Sequence, residues 1–158
     1  MAHTHDKLCL TVTAVLVREN KVLLLNHPTY DLWLAVGGHI DAGEDPTEAL
    51  YREIKEETGY EPSEIEVFGT KPAIQFNDEN GASFLVPPTY ISRHSAADRE
   101  HVSFVYLVKV IADRDVSLSD EHTEARWLTE EELPGLTPLL LDRVKFYCHE
   151  ALRSLATG

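Results

Sequence analysis

Residues 45–59, DPTEALYREIKEETG, specify both ends of a helix. Asp45 is a favoured N-cap, because its side-chain oxygen accepts from backbone N–H groups that a first turn leaves without partners. Pro46 suits the first helical position, where its fixed φ fits and its missing N–H is not needed. Glu48, three residues after the cap, completes a capping box. Gly59 is the residue type that takes the left-handed conformation just past a helix end. A helix bounded this tightly has a known register, so its faces can be assigned from ~100° per residue.

That register gathers acids. Seven of the 24 residues from Gly37 to Tyr60 are Asp or Glu: Asp41, Glu44, Asp45, Glu48, Glu53, Glu56 and Glu57. Glu56 lies about 60° to one side of Glu53 and Glu57 about 40° to the other, so three carboxylates share an arc about 100° wide. Leu50, Ile54 and Thr58 fill the neighbouring arc, which faces a core. Like charges on adjacent turns repel by a few tenths of a kcal/mol, roughly. A merely solvated acidic face usually interleaves Lys or Arg at i+4. Arg52 and Lys55 are present, yet the three Glu remain contiguous. The other reading is a hard-cation site, since Mg²⁺ takes oxygen ligands, keeps several waters and needs few carboxylates beside a substrate phosphate. The helix alone leaves both open.

The frame around it is more specific. Gly38 is followed after five residues by Glu44, and seven residues later comes Arg52-Glu53-Ile54-Lys55-Glu56-Glu57-Thr58-Gly59-Tyr60. This stretch resembles the signature of the Nudix hydrolases, with nine specified positions matched over 23 contiguous residues. The likeness extends more loosely to Trp33 before the glycines and to Glu124-Ala125-Arg126-Trp127-Leu128 followed by Glu131-Glu132-Leu133. One departure is Val36, where the family often has Pro; Val also holds an extended backbone and supplies no ligand atom.

The resemblance implies metal-dependent hydrolysis of a nucleoside diphosphate linked to another moiety. Glu53, Glu56 and Glu57 would bind Mg²⁺ or Mn²⁺, and the Gly38 carbonyl would add a backbone ligand. Arg52 would orient a box glutamate through its planar fork. Glu44 would either accept that pair or take a second metal, the first being favoured. The general base often lies on a loop beyond the box, with Glu121, Glu124, Glu100 and His101 as candidates and Glu121 as first choice. His39, Arg93 and Arg99 are candidate substrate contacts, and the polar insertion 87–100 is the expected specificity element. A non-catalytic nucleotide-sensing module of the same fold is the alternative, although such modules usually lose box glutamates. A related isomerase of prenyl diphosphates would need a catalytic Cys, for which Cys9 and Cys148 are poorly placed.

Elsewhere, patterning predicts strands over 8–17 and 21–25 joined by a Glu19-Asn20 turn, then 32–36, 64–72, 73–76, 101–111 and 125–128. Residues 77–81 read as a turn, and Pro87-Pro88 as a break. A last helix is expected from about Thr137-Pro138, with Leu141, Val144, Cys148, Ala151 and Leu155 at helical spacing. Strands, helix, strands and helix in that order imply an α+β or α/β chain with a mixed sheet flanked by helices. The resemblance makes this an α/β/α sandwich, one domain over residues 1–158.

The formal charge of −13 argues against coating nucleic acid through phosphates. A small phosphate-bearing ligand would need local cations to approach. Cys9 and Cys148 read as small buried residues rather than a redox pair. The start lacks a signal-peptide pattern, no stretch reaches the ~20 apolar residues of a membrane span, and a soluble cytoplasmic protein is expected. His3 and His5 read as a frayed terminus, and His27 and His39 flank the glycine turn. Tyr30, Trp33, Phe76, Phe84 and Tyr90 are the aromatic residues to weigh between base stacking and packing. The oligomeric state is not fixed; the resemblance allows a homodimer.

Overall fold

The computed structural model describes residues 8–138 and 140–155; His3 and His5 lie outside them. Its strands are β1 (Leu8–Arg18), β2 (Lys21–His27), β3 (Leu32–Leu34), β4 (Val36–His39), β5 (Ile65–Val67), β6 (Tyr90–Ala96), β7 (Arg99–Val110) and β8 (Glu124–Leu128). Its helices are α1 (Pro46–Thr58) and α2 (Asp142–Leu155). The strands form one mixed sheet with β1 and β7 parallel at its centre. Crossover connections through helices are what such parallel pairs require.

β1 and β7 are apolar on both faces over Ala14–Val17 and Val105–Val108, where a helix covers each side. Val12, Ala14 and Leu16 point toward α1, where they meet Leu50, Ile54 and Tyr60. Val15 and Val17 point the other way, into a cluster with Val144, Cys148, Ala151 and Leu152 of α2. The two layers make the chain a sandwich of helix, sheet and helix.

The α1 caps form as their residue types dictate. Asp45 accepts from the Thr47 and Glu48 amides, Glu48 returns a bond to the Asp45 amide, and Gly59 closes the helix at φ 74°. Glu19 and Asn20, at φ 49° and 61°, make the tight turn from β1 to β2.

Four expectations need correction. Residues 32–36 are not one strand: β3 pairs with β2, whereas β4 crosses over to pair with β1. Of 64–72 and 73–76, only Ile65–Val67 is strand. Residues 68–89 form no regular element, though their ends are pinned to β7 by Phe68 N–H to the Leu107 carbonyl and Thr89 N–H to the Val105 carbonyl, each 2.8 Å. Local β-propensity had no partner strand to satisfy it there. The insertion 87–100 is largely hairpin, because β6 covers the first half of β7. The last helix starts at Asp142, since Leu136 and Leu140 are first buried in the α2-side core as irregular chain.

Candidate active site

The site is built where β4 runs into the loop before α1. Gly37 and Gly38 sit in β4 opposite Thr13 and Val12 of β1. A Cβ on Gly37 would lie 2.2 Å from the Val12 carbonyl oxygen, so only glycine lets the two strands come this close. A Cβ on Gly38 would lie 2.3 Å from Glu53 Oε1, so its absence makes room for that carboxylate. Val36 is fully buried and contributes only packing.

The three box glutamates differ in setting. The side chains of Glu53 and Glu57 are 12% and 9% exposed, and that of Glu56 is 59% exposed. Glu57 Oε2 accepts from the Gly37 amide at 3.0 Å. A cavity of about 360 Å³ is lined by Gly37, Gly38, Glu53, Glu57, Glu121 and His122, with His27, Tyr30, His39 and Asp41 around them. Glu56 stands outside it, bonded to Arg52 Nη1 at 3.1 Å.

Arg52 ties the loop to the helix. It donates from Nε and Nη2 to the two oxygens of Glu44 at 2.6 and 2.9 Å, from Nη1 to Glu53 at 2.8 Å, and from Nη2 to the His39 carbonyl at 2.9 Å. One Glu44 oxygen also accepts from the Asp41 amide at 3.0 Å. The Arg52 bond holds the Glu44 carboxyl below its ordinary range.

Burial raises the carboxyl of Glu53 despite the Arg52 bond. It pushes Glu57 up to about 8, and the nearby charges of Glu53, Glu121 and Glu56 add to the rise. Burial lowers His122, whose Nε2 lies 3.5 Å from Glu57 Oε1. Burial disfavours charge on both partners and the distance is long for a hydrogen bond, so this contact is not an ion pair at neutral pH.

This arrangement fits a hard divalent cation. The cavity lining is rich in carboxylates, the acid cluster is under-compensated, and glycine replaces a side chain where the Glu53 carboxylate sits. A cation would remove the penalty that keeps Glu57 protonated.

The fold separates the base candidates. Glu121 lines the cavity. Glu100 is held on the β6–β7 hairpin by Arg93 at 2.8 Å and by Ser95, and Glu124 is bonded to Arg126 on β8. His101 packs against His39 and His94. Arg93 and Arg99 project from the hairpin, where Arg99 contacts Cys9. Among the aromatic candidates, Tyr30 lines the cavity. Trp33 is core, donating its indole N–H to the Thr137 carbonyl, Tyr90 packs on Phe146 and Tyr147, and Phe76 packs on Phe84. Cys148 is buried, but Cys9, expected buried, is only half-buried near the start of β1. Three polar cavity residues were not singled out from sequence as contacts: Asp41, counted only among the acids, His27, read only as flanking the glycine turn, and His122, whose one signal was its place beside Glu121.

A family model of the NUDIX domain matches residues 7–149. The chain belongs to the Nudix hydrolase family. Among curated Nudix relatives, nucleoside triphosphatase NudI of Enterobacter sp. (strain 638) is 28% identical over 134 residues, covering 80% of this chain and 86% of that protein. The ADP-ribose pyrophosphatase of Methanocaldococcus jannaschii is 29% identical over 132 residues, covering 79% of this chain and 64% of that protein. The chain spans less than two thirds of the length of several curated relatives it matches. Among solved structures, a hydrolase of the NUDIX family from Clostridium perfringens is 27% identical with a TM-score of 0.77, covering 92% of this chain and 97% of that one. Among the described residues, no helix is long and apolar enough to cross a membrane.

Proposed function

We propose that this Nudix chain hydrolyses a phosphoanhydride bond in a nucleoside diphosphate linked to another moiety, with Mg²⁺ or Mn²⁺ as cofactor. The substrate is a nucleoside triphosphate, a nucleotide sugar or an ADP-ribose-like diphosphate. The observation that carries this reading is the cavity lined by Glu53, Glu57, Glu121 and the two glycines. The nucleoside triphosphatase and ADP-ribose pyrophosphatase named among the relatives support the same bond type.

Glu53 and Glu57, with Glu56 at the rim and the Gly38 carbonyl, would hold the divalent ion. When bound, the ion supplies charge neutralisation for the phosphates and acidifies a water. Arg52 fixes Glu53 and spends its fork on Glu44, so Glu44 serves as the partner of Arg52 rather than a metal ligand. Glu121 takes the proton from the attacking water as its oxygen bonds to phosphorus and the bridging oxygen leaves. Tyr30, at the cavity wall, contacts the substrate. The protein works in the cytoplasm.

A panel of nucleoside triphosphates, nucleotide sugars and ADP-ribose, incubated with Mg²⁺ and separately with EDTA, tests this. The expected result is release of a nucleoside monophosphate, or of phosphate or pyrophosphate, with Mg²⁺ alone. No product from any compound, together with nucleotide binding, would establish the sensing module instead.

A further inference from the structure

The sheet brings a second group of metal-binding side chains together on its α2-facing side. In the parallel β1–β7 pair Cys9 lies opposite His101, and in the antiparallel β6–β7 pair His94 lies opposite His101. His39 of β4 lies opposite Thr11, two residues from Cys9 on β1. Directly opposed residues share a face, as do residues two apart, so all four side chains emerge on one side. The ligand atoms of Cys9, His39 and His101 all lie within 4.8 Å of one another. The His39 and His101 ring centroids are 5.4 Å apart, and those of His94 and His101 are 5.2 Å apart with planes only 12° from parallel.

Packing alone does not account for this cluster. Buried side-chain nitrogens are nearly always hydrogen-bonded. Here the buried Nδ1 atoms of both His94 and His101 have no partner among the described residues. A water or a metal ion can serve such a nitrogen, and the convergence of a thiol and two imidazoles at His101 favours the ion there. Thiolate and imidazole donors select zinc-class ions, whereas Mg²⁺ and Mn²⁺ prefer the carboxylates around Glu53.

We propose that Cys9, His39 and His101 form a site for one zinc-class divalent ion, with ligands other than the carboxylates and with His39 at the edge of their cavity. Three protein ligands leave a fourth position for water. Bond lengths of about 2.0–2.3 Å put tetrahedral ligand atoms about 3.3–3.8 Å apart, so the exposed His39 ring closes the remaining gap by side-chain rotation. On binding, the Cys9 thiol gives its proton to solvent and the sulfur bonds to the ion. Arg99 Nη1, 3.7 Å from Cys9 Sγ, is placed to donate to the bound thiolate, and His94 backs the His101 ring. The ion would cross-link β1, β4 and β7, and β4 carries the Gly37-Gly38 pair that abuts the catalytic carboxylates.

Co²⁺ titrated into the full chain in excess Mg²⁺ tests this, since excess Mg²⁺ competes for the carboxylates. The expected result is one equivalent of tetrahedral cobalt with a thiolate-to-cobalt absorption band. The band is lost in Cys9→Ser and His101→Asn and kept in Glu53→Gln. No band in the unaltered chain, or a band that survives Cys9→Ser, overturns the proposal. A second measurement needs no variant. Cys148 is buried, so a thiol reagent reports Cys9, and Zn²⁺ is expected to slow its alkylation by at least about tenfold. An unchanged alkylation rate likewise overturns it.

Discussion

Gly38 and Glu53 compete for one space: a Cβ on the glycine would lie 2.3 Å from Glu53 Oε1. The neighbouring Gly37 has its conflict with the Val12 carbonyl at 2.2 Å instead. The two glycines therefore fail differently when replaced. A carboxylate at the end of a flexible side chain can swing away, whereas a strand carbonyl in a ladder cannot.

Gly37→Ala is accordingly expected to cost about 3 kcal/mol or more through strand displacement. Gly38→Ala should fold with a melting temperature near that of the parent, yet lose about 10–100-fold in kcat because Glu53 is displaced from its proposed ion-binding position. Thermal melts and nucleotide hydrolysis on both variants check this. Equal loss of stability in the two would mean that Glu53 cannot yield.

Arg52→Lys keeps the charge and removes the planar fork that engages Glu44 twice and Glu53 once. The pair is partly solvated, so the stability change should stay within about 1 kcal/mol. The rate should fall about 10–100-fold, because Glu53 loses its fixed orientation. Denaturant midpoints and kcat on the best substrate of the panel separate the two effects.

Glu57 predicts a pH dependence for the metal-free protein. Its folded-state pKa of about 8 stands above the ordinary 4.5, so the folded chain holds a proton that the unfolded chain releases. That stabilisation is complete below about 4.5 and is lost as pH rises toward about 8. In EDTA the melting temperature should therefore fall across this window. Mg²⁺ should flatten or reverse the slope, because the ion takes the place of the proton and binds the folded state. Identical melting curves with and without Mg²⁺ at pH 8 would argue against ion binding at Glu57.

How legible was this in the sequence? Helix α1 was readable because Asp45, Pro46, Glu48 and Gly59 act locally, each through its own backbone contacts. The central strands were readable because β1 and β7 are long and apolar. The strand break at Ala35 and the β6 hairpin depended on partners far along the chain, which no local pattern reports. The same limit hid His122, brought against Glu57 by the fold, and the approach of Cys9 to His39 and His101. Spacing along the chain could place the acids of one helix on one arc, but it could not rank their burial. Only the structure shows Glu57 buried and Glu56 outside the cavity.

Glu121 is the remaining test of how the water is activated. It is exposed and lies at the cavity, close enough for its charge to raise both Glu53 and Glu57. Glu100 and Glu124 are committed to neighbouring cations on other parts of the sheet. Glu121→Gln preserves size and cannot accept the proton, so kcat should drop by about 100-fold or more with little change in KM. Glu100→Gln and Glu124→Gln should keep near-parental rates. Single-turnover and steady-state assays on the three variants decide among them. A near-parental rate for Glu121→Gln would remove it as the base and turn attention to His122, its neighbour in the same cavity.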